Sequence, residues 1–462
     1  MTVTQPIDVR DDVEGRLKKG DLRGALVIAE TEWCSRPSAS LAAFLKNQFL
    51  PTLSGALPRK RVHFSRCFTI EPILPFLWVE CLFSGFIAEF SLSEYNTVIQ
   101  DLSSFQCGGD AENPDLVFAA LHPRSFMPSL WNGDVSDVRE ALDWSISAIA
   151  GAMHKFRSET HTPLVIQSFE VPYPVTTGVA LVEPGRSREA ILSAANSKIA
   201  SLSEETSGCL FVDTNQVIAD VGYRNWIDKR VWEISKCPYS ATALPPLAKQ
   251  WAAAIRASLL PPLKVLVVDL DNTLWGGVIG DDGPDALVVD ADTSAGSGHL
   301  ALQHTLKILK DRGTLLAIAS KNDASTVEEG FGRITNLAVS LEDFAVHKIS
   351  WQSKVESIRA IAAELDVGID AVAFLDDNPV EREEVAQGLP SVRVLPFLGA
   401  EHAAQYLLRI PQFQKAVIAP EDRKRTELYR AEQARDAAFD GEGNRTEFLE
   451  SLQQNIARCF LL

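Results

Sequence analysis

Two aspartates, separated by one leucine, close a run of branched apolar residues in VLVVDLDNTLWGG, Val265 to Gly277. Carboxylates this close repel each other unless one carries a proton or a cation sits between them. Both solutions have a chemical use: a protonated carboxyl is a general acid, and carboxylates around a hard cation form an all-oxygen site. In a parallel α/β sheet, ligands collect at the carboxyl ends of the strands, which is where an apolar run followed by Asp269 and Asp271 would place these groups. Three later stretches add the remaining parts. LLAIASKND ends in Ser320, Lys321 and Asn322, ISWQSKVESIRA carries Lys354, and VAFLDDN ends in the acidic pair Asp376 and Asp377. A nucleophile, a proton donor, an acidic metal site, and hydroxyl and cationic groups for phosphoryl oxygens are what phosphoryl transfer requires.

Positioning these residues requires strands alternating with helices. Residues 263–400 read as strand KVLVVDL, helix HLALQHTLKILKDRG, strand TLLAIAS, helix VESIRAIAAELD, then strands AVAFLDD and SVRVLPF. The stretch between Asp271 and Ser320 has no space for a large lid, and GGVIGDDGPDALVVD suits a small hairpin flap over an open site. Upstream, residues 59–245 show the same rhythm in RVHFSR, FIAEFSL, PDLVFAAL, TPLVIQSFE and GCLFVD, with covering helices over Val135 to Phe156 and Arg186 to Leu202. Such alternation implies mostly parallel sheets with helices on their faces. Residues 1–58 form a helical lead-in with Asp21 as a cap, 246–262 a connecting helix bracketed by prolines, and 401–462 a charged helical end.

Bulk properties narrow the function classes. The chain has 462 residues, too many for one ordinary core, and a globular composition. Acidic residues outnumber basic ones 61 to 44, and the formal charge of −17 argues against general affinity for nucleic acid or anionic lipid. Seven scattered cysteines show no CxxC spacing, and the opening MTVTQPIDVRDDVEGRLKKG lacks the apolar core of a secretory signal, so a reducing cytoplasm is the expected compartment. The longest apolar tract, Ile73 to Phe90, is broken by Glu80 and Gly85 and reads as a buried helix and a strand, not as a membrane span.

The order Asp-x-Asp-x-Thr (Asp269, Asp271, Thr273), Ser320, Lys354, Asp376-Asp377 resembles the four motifs of the haloacid dehalogenase superfamily of phosphotransferases. By that resemblance, Asp269 is the nucleophile and Asp271 the general acid and base. Asp269, Asp376 and Asp271, the last through its carbonyl, hold Mg²⁺, with Asp377 in support. Thr273, Ser320, Lys321, Asn322 and Lys354 receive the substrate phosphate. The wording DLDNTLWGGVIGDDG, FLDDNPVERE, EDRKRTELYRAE and NWIDKRVWEISKCPYSATALPPLA resembles the FkbH family of polyketide biosynthesis. This implies an SGNH-hydrolase-like parallel-sheet domain followed by a capless haloacid dehalogenase-type, Rossmann-like domain. It also implies a glyceryl transferase/phosphatase that takes the three-carbon unit of 1,3-bisphosphoglycerate, removes its phosphates and loads it as a thioester on an acyl carrier protein serving polyketide synthase components.

Within the amino-terminal domain, Cys67 in RVHFSRCFTIEPI comes just after the first strand and is the candidate transient glyceryl carrier, with Arg61 and Arg66 near enough in sequence to favour a thiolate. A buried structural cysteine is the competing reading. No Asp-x-x-His partner is visible, and His63 and His122 are read as packing or capping residues. The basic runs PRKR, Pro58 to Arg61, and EDRKR, Glu421 to Arg425, are candidate docking spots for an acidic carrier. The alternatives are a capless phosphatase acting on a protein or nucleotide, and a non-catalytic synthase scaffold.

Overall fold

The computed structural model describes residues 9–53, 55–105, 113–127, 135–171 and 187–441. The chain divides into two compact units, Met1–Leu260 and Pro261–Leu462.

The first unit holds a five-stranded sheet: β1 (Arg59–Arg66), β2 (Ile87–Leu92), β3 (Leu116–Ala120), β4 (Leu164–Gln167) and β5 (Cys209–Val212). Its order is β2-β1-β3-β4-β5, and every neighbouring pair is parallel. The central strands β3 and β4 are buried along their whole length, which explains their unbroken apolar sequences: a parallel sheet covered on both faces needs no alternation. Helices Val9–Lys18, Leu22–Ser35 and Ala39–Leu53 send Val13, Ala25, Trp33, Leu45 and Phe49 into the same core as the sheet, so the lead-in is part of this unit. Asp21 caps the second of them by accepting the Gly24 N–H. The helix expected as a connector, Leu244–Leu259, is also a core element; Trp251 stacks on Phe64 at 5.5 Å and tilts against Phe118 at 4.7 Å. The apolar tract resolves into helix Leu74–Phe83 and strand β2, and no helix among the described residues is long and apolar enough to cross a membrane.

The second unit holds β6 (Val265–Val268), β7 (Leu315–Ser320), β8 (Phe344–Ile349), β9 (Val372–Leu375) and β10 (Arg393–Val394), in the order β10-β9-β6-β7-β8, again all parallel. Alternate residues of β6 serve opposite faces. Val265 and Val267 join Ile358 and Ile361 of helix Lys354–Glu364 and Val385 of helix Pro379–Gly388. Leu266 and Val268 join Leu302, Leu306 and Leu309 of helix Ser294–Asp311. The central strand therefore delivers Asp269, its next residue, to a rim with helices on both sides.

Some elements differ from expectation. FAVHKI forms the edge strand β8; only its first three residues are buried, and the polar half hides the strand in the sequence. SVRVLPF pairs over two residues only. The segment expected as a hairpin flap makes one antiparallel bridge, Gly276 with Val288, around the short helical turns Ile279–Asp282 and Pro284–Ala286. Helix Ala400–Arg409 places Ala403, Ala404 and Leu407 in the unit's core, so the unit continues past residue 400. Helix Arg425–Gly441 covers part of the charged end, and EFLESLQQNIARCF lies outside the described residues.

Candidate active site

Asp269 comes directly after β6, and the chain then turns back on itself. Asn272 adopts a left-handed backbone (φ 53°), which asparagine tolerates better than most residues. Its N–H donates to the Gly277 carbonyl and its side-chain oxygen accepts the Gly277 N–H, both at 3.1 Å. Gly277 has φ 101°, a conformation that favours glycine. Helix Ser294–Asp311 clamps the turn from behind: His299 Nδ1 donates to the Thr273 carbonyl at 2.9 Å, and Gln303 Nε2 donates to the Leu274 carbonyl at 2.9 Å. Burial lowers the His299 pKa, in keeping with a neutral ring.

Behind this turn lies a buried charge cluster. Lys354, at the start of its helix, is 3% exposed; its Nζ bonds Asp269 Oδ1, donates to the Ala319 carbonyl at 2.6 Å and lies 3.1 Å from Asp376 Oδ2. Burial pushes the Asp269 carboxyl up to about 7, with Asp376 adding to the effect and Lys354 opposing it. Burial alone would lower the Lys354 pKa, but the two carboxylates outweigh it and raise it. Asp377 is also raised, by burial and by Asp376. One ammonium thus faces more acidic groups than it can neutralise.

Asp269, Asp376 and Asp377 each offer an oxygen, all within 4.8 Å of one another. Asp376 Oδ2 is buried and, although ion-paired with Lys354, accepts no aligned hydrogen bond. A buried, under-satisfied oxygen among converging carboxylates fits a hard divalent cation, because such an ion is bound by oxygen alone. Arg382 Nη1 fixes the loop by donating to the carbonyls of Asp376 (2.6 Å) and Asp377 (2.7 Å).

The other expected site residues divide. Ser320 is buried at the end of β7. Thr273, expected to hold phosphate, is fully buried; its hydroxyl donates to Asp377 Oδ1 at 3.3 Å and accepts the Asp377 N–H at 2.9 Å, so it braces two loops. Lys321 pairs with Glu381 at 2.7 Å. Asn322 donates to Asp271 Oδ2 at 2.9 Å and to Ser320 Oγ at 3.1 Å, linking two site residues. The Asp271 side chain is outside the carboxylate cluster, where Asp377 provides the third carboxylate. Trp275, His299 and Arg382 join the site without being expected there, since an apolar-looking tryptophan, a helical histidine and an arginine after a proline carry no motif signal.

In the first unit, Cys67 is 1% exposed, and burial pushes its thiol up to about 12, the opposite of a readied thiolate. Its Sγ accepts the His122 N–H at 3.1 Å and contacts the Ala120 carbonyl at 3.3 Å. Arg66 is engaged by Glu71 and the Ser93 carbonyl, and Arg61 faces Asp115, so the basic neighbours expected to activate the thiol are turned elsewhere. His122 lies 3.0 Å from Glu170, whose other oxygen accepts the Trp226 indole N–H at 2.8 Å. Burial would raise the Glu170 pKa, but His122 and Trp226 outweigh it and lower it. This buried pair at the sheet's carboxyl edge was not legible in the sequence.

No protein-family model and no curated protein sequence matches the chain. Among solved structures, the chain is similar to the N-terminal part of protein BF1531 from Bacteroides fragilis, which contains a phosphatase domain and is complexed with Mg: 24% identity, TM-score 0.68, covering 78% of this chain and 96% of that one. The likeness establishes the shared α/β fold. The salicylyl-acyltransferase SsfX3 of a tetracycline biosynthetic pathway matches at 11% identity over 43% of this chain and 54% of that one, with a TM-score of 0.27 that supports no argument.

Proposed function

We propose that the second unit is a Mg²⁺-dependent phosphatase acting on phosphomonoesters through an aspartyl-phosphate on Asp269. The observation that carries this is the cluster of Asp269, Lys354 and Asp376 at the rim of a parallel sheet, with its surplus of carboxylates around a single buried ammonium. Mg²⁺ held by Asp269, Asp376 and Asp377 would supply positive charge to the phosphoryl oxygens. The Asp269 carboxylate displaces the substrate alkoxide at phosphorus. Asp271 gives its proton to that oxygen, then takes one from the water that releases phosphate and restores Asp269. Lys354 offsets negative charge on the nucleophile and the transferring group, and the Ser320 hydroxyl donates to it.

The finer reading is that the phosphomonoester is a three-carbon glyceryl unit from 1,3-bisphosphoglycerate, delivered to the phosphopantetheine thiol of an acyl carrier protein in polyketide assembly. Two things support it: the FkbH-like wording of the motifs and an attached second α/β unit. Cys67 serves as an intermediate carrier only if the substrate uncovers it. The test is incubation with Mg²⁺, 1,3-bisphosphoglycerate and a pantetheinylated carrier, weighing the carrier by mass spectrometry. A glyceryl adduct supports transfer, and its persistence in Cys67→Ala assigns transfer directly to the carrier thiol. Phosphate release without an adduct leaves a phosphatase of another substrate, and neither product leaves a scaffold.

A further inference from the structure

Asp271 is held more completely than a general acid needs to be merely to exist in a site. Its Oδ1 accepts the Trp275 indole N–H at 3.0 Å and the Ile279 N–H at 3.1 Å, and its Oδ2 accepts the Asn322 amide at 2.9 Å. The donors come from three places: the turn after β6, the helical turn Ile279–Asp282, and the loop after β7. We infer that Trp275 and Asn322 are positioning residues that fix the orientation of the Asp271 carboxyl in the site.

A carboxylate oxygen has two lone pairs, and both of those on Oδ1 are taken by N–H donors that cannot accept a proton. The lone pair left open is therefore on Oδ2, beside the Asn322 contact. Asn322 acts twice, because its second N–H goes to Ser320 Oγ, which leaves the Ser320 hydroxyl hydrogen able to point at a phosphoryl oxygen. Trp275 is fully buried, with its ring edge-on to Phe331 at 5.4 Å, so the indole N–H has little freedom to look elsewhere. The Ile279 contact ties the helical turn Ile279–Asp282 to the same oxygen. Trp275 and Asn322 touch neither phosphorus nor the leaving group in this scheme; they act through Asp271.

This inference rests on the phosphatase reading for its kinetic consequence but not for its geometry, and two measurements keep the two apart. The first reads the contact itself: the Trp275 indole N–H resonance of the ¹⁵N-labelled full chain, assigned with Trp275→Phe. In Asp271→Ala the signal moves upfield and its exchange with water accelerates. An indole signal identical in Asp271→Ala and the parent protein overturns the inference, whether or not the protein is active.

The second measurement is single-turnover phosphoryl transfer to the enzyme from an alkyl phosphate, which needs its leaving oxygen protonated, and from nitrophenyl phosphate, which does not. Trp275→Phe, which keeps a ring against Phe331, and Asn322→Ala each slow the alkyl substrate by about 10- to 100-fold and the nitrophenyl substrate by under about threefold. In an Asp271→Asn background both substitutions lose their effect. Equal slowing of both substrates, or full additivity with Asp271→Asn, reduces the two residues to packing and overturns the inference. Parent protein that transfers from neither substrate sinks the phosphatase reading, while the indole measurement still decides the contact.

Discussion

Withdrawing or supplying Mg²⁺ across a pH series perturbs the cluster without changing a side chain. Burial and Asp376 hold the Asp269 carboxyl at about 7, against 3.8 for a free aspartate. The native state without metal therefore binds the Asp269 proton more tightly than the unfolded chain does. Its contribution to stability is fully present below the unfolded value and is lost as pH rises towards 7. At about 1.4 kcal/mol per pKa unit, the decline amounts to a few kcal/mol in all, spread between the free value and about 7. Other groups titrate in that window, so the comparison is with Asp269→Asn, which has nothing to ionise at that position.

In the presence of EDTA, calorimetric stability of the parent protein should fall relative to Asp269→Asn as pH rises from 5 to 7, then run parallel to it. Mg²⁺ competes with the same proton, so apparent Mg²⁺ affinity should rise by up to about tenfold per pH unit below 7 and flatten above it. Parallel stability curves together with pH-independent Mg²⁺ affinity would refute the claim that a buried, charge-crowded Asp269 is what the cation relieves.

Lys354→Met removes the one ammonium of the cluster while keeping its length; phosphatase turnover should drop by about 10²- to 10³-fold, comparable to losing one preorganised charge donor, and Lys354→Arg should not restore it in so closed a pocket. Turnover within a few-fold of the parent would contradict the role given to Lys354. Thr273→Val keeps the shape and removes the hydroxyl between the two loops; stability should fall by about 1 to 2 kcal/mol and Mg²⁺ should bind more weakly, both readable by calorimetric titration, whereas unchanged Mg²⁺ affinity would make Thr273 packing alone. At pH 8 iodoacetamide should label exposed Cys34 but spare Cys67, whose thiol is buried and pushed up to about 12, as peptide mapping would show; rapid labelling of Cys67 would reinstate it as a ready nucleophile.

The parts of this molecule that are readable from the chain are those where one physical rule acts alone. Buried parallel strands announce themselves as unbroken apolar runs, so β3, β4, β6, β7 and β9 can be placed, and the acidic residues just after β6 and β9 fall at the rim because strands end there. Residues serving two neighbours are harder to read. Thr273 looks like a phosphate ligand because its spacing fits one, yet its hydroxyl is occupied by Asp377, a partner more than a hundred positions away that no local pattern displays. Asn322 and Trp275 converge on Asp271 only after the turn after β6 and the loop after β7 meet. β8 is hidden because an edge strand needs only half its length buried. Cys67 shows the reverse: Arg66, the residue before it, faces Glu71 and Ser93, since successive side chains of a strand point to opposite faces, and Arg61 lies near the other end of β1, facing Asp115.

The most direct trial of the central claim is to mix the protein with Mg²⁺ and a radiolabelled phosphomonoester, quench in acid within the first turnover and map the label. The account predicts an acyl phosphate on the peptide carrying Asp269, released by hydroxylamine and absent in Asp269→Asn. Turnover with no protein-bound phosphate, or with the label on another residue, would contradict it.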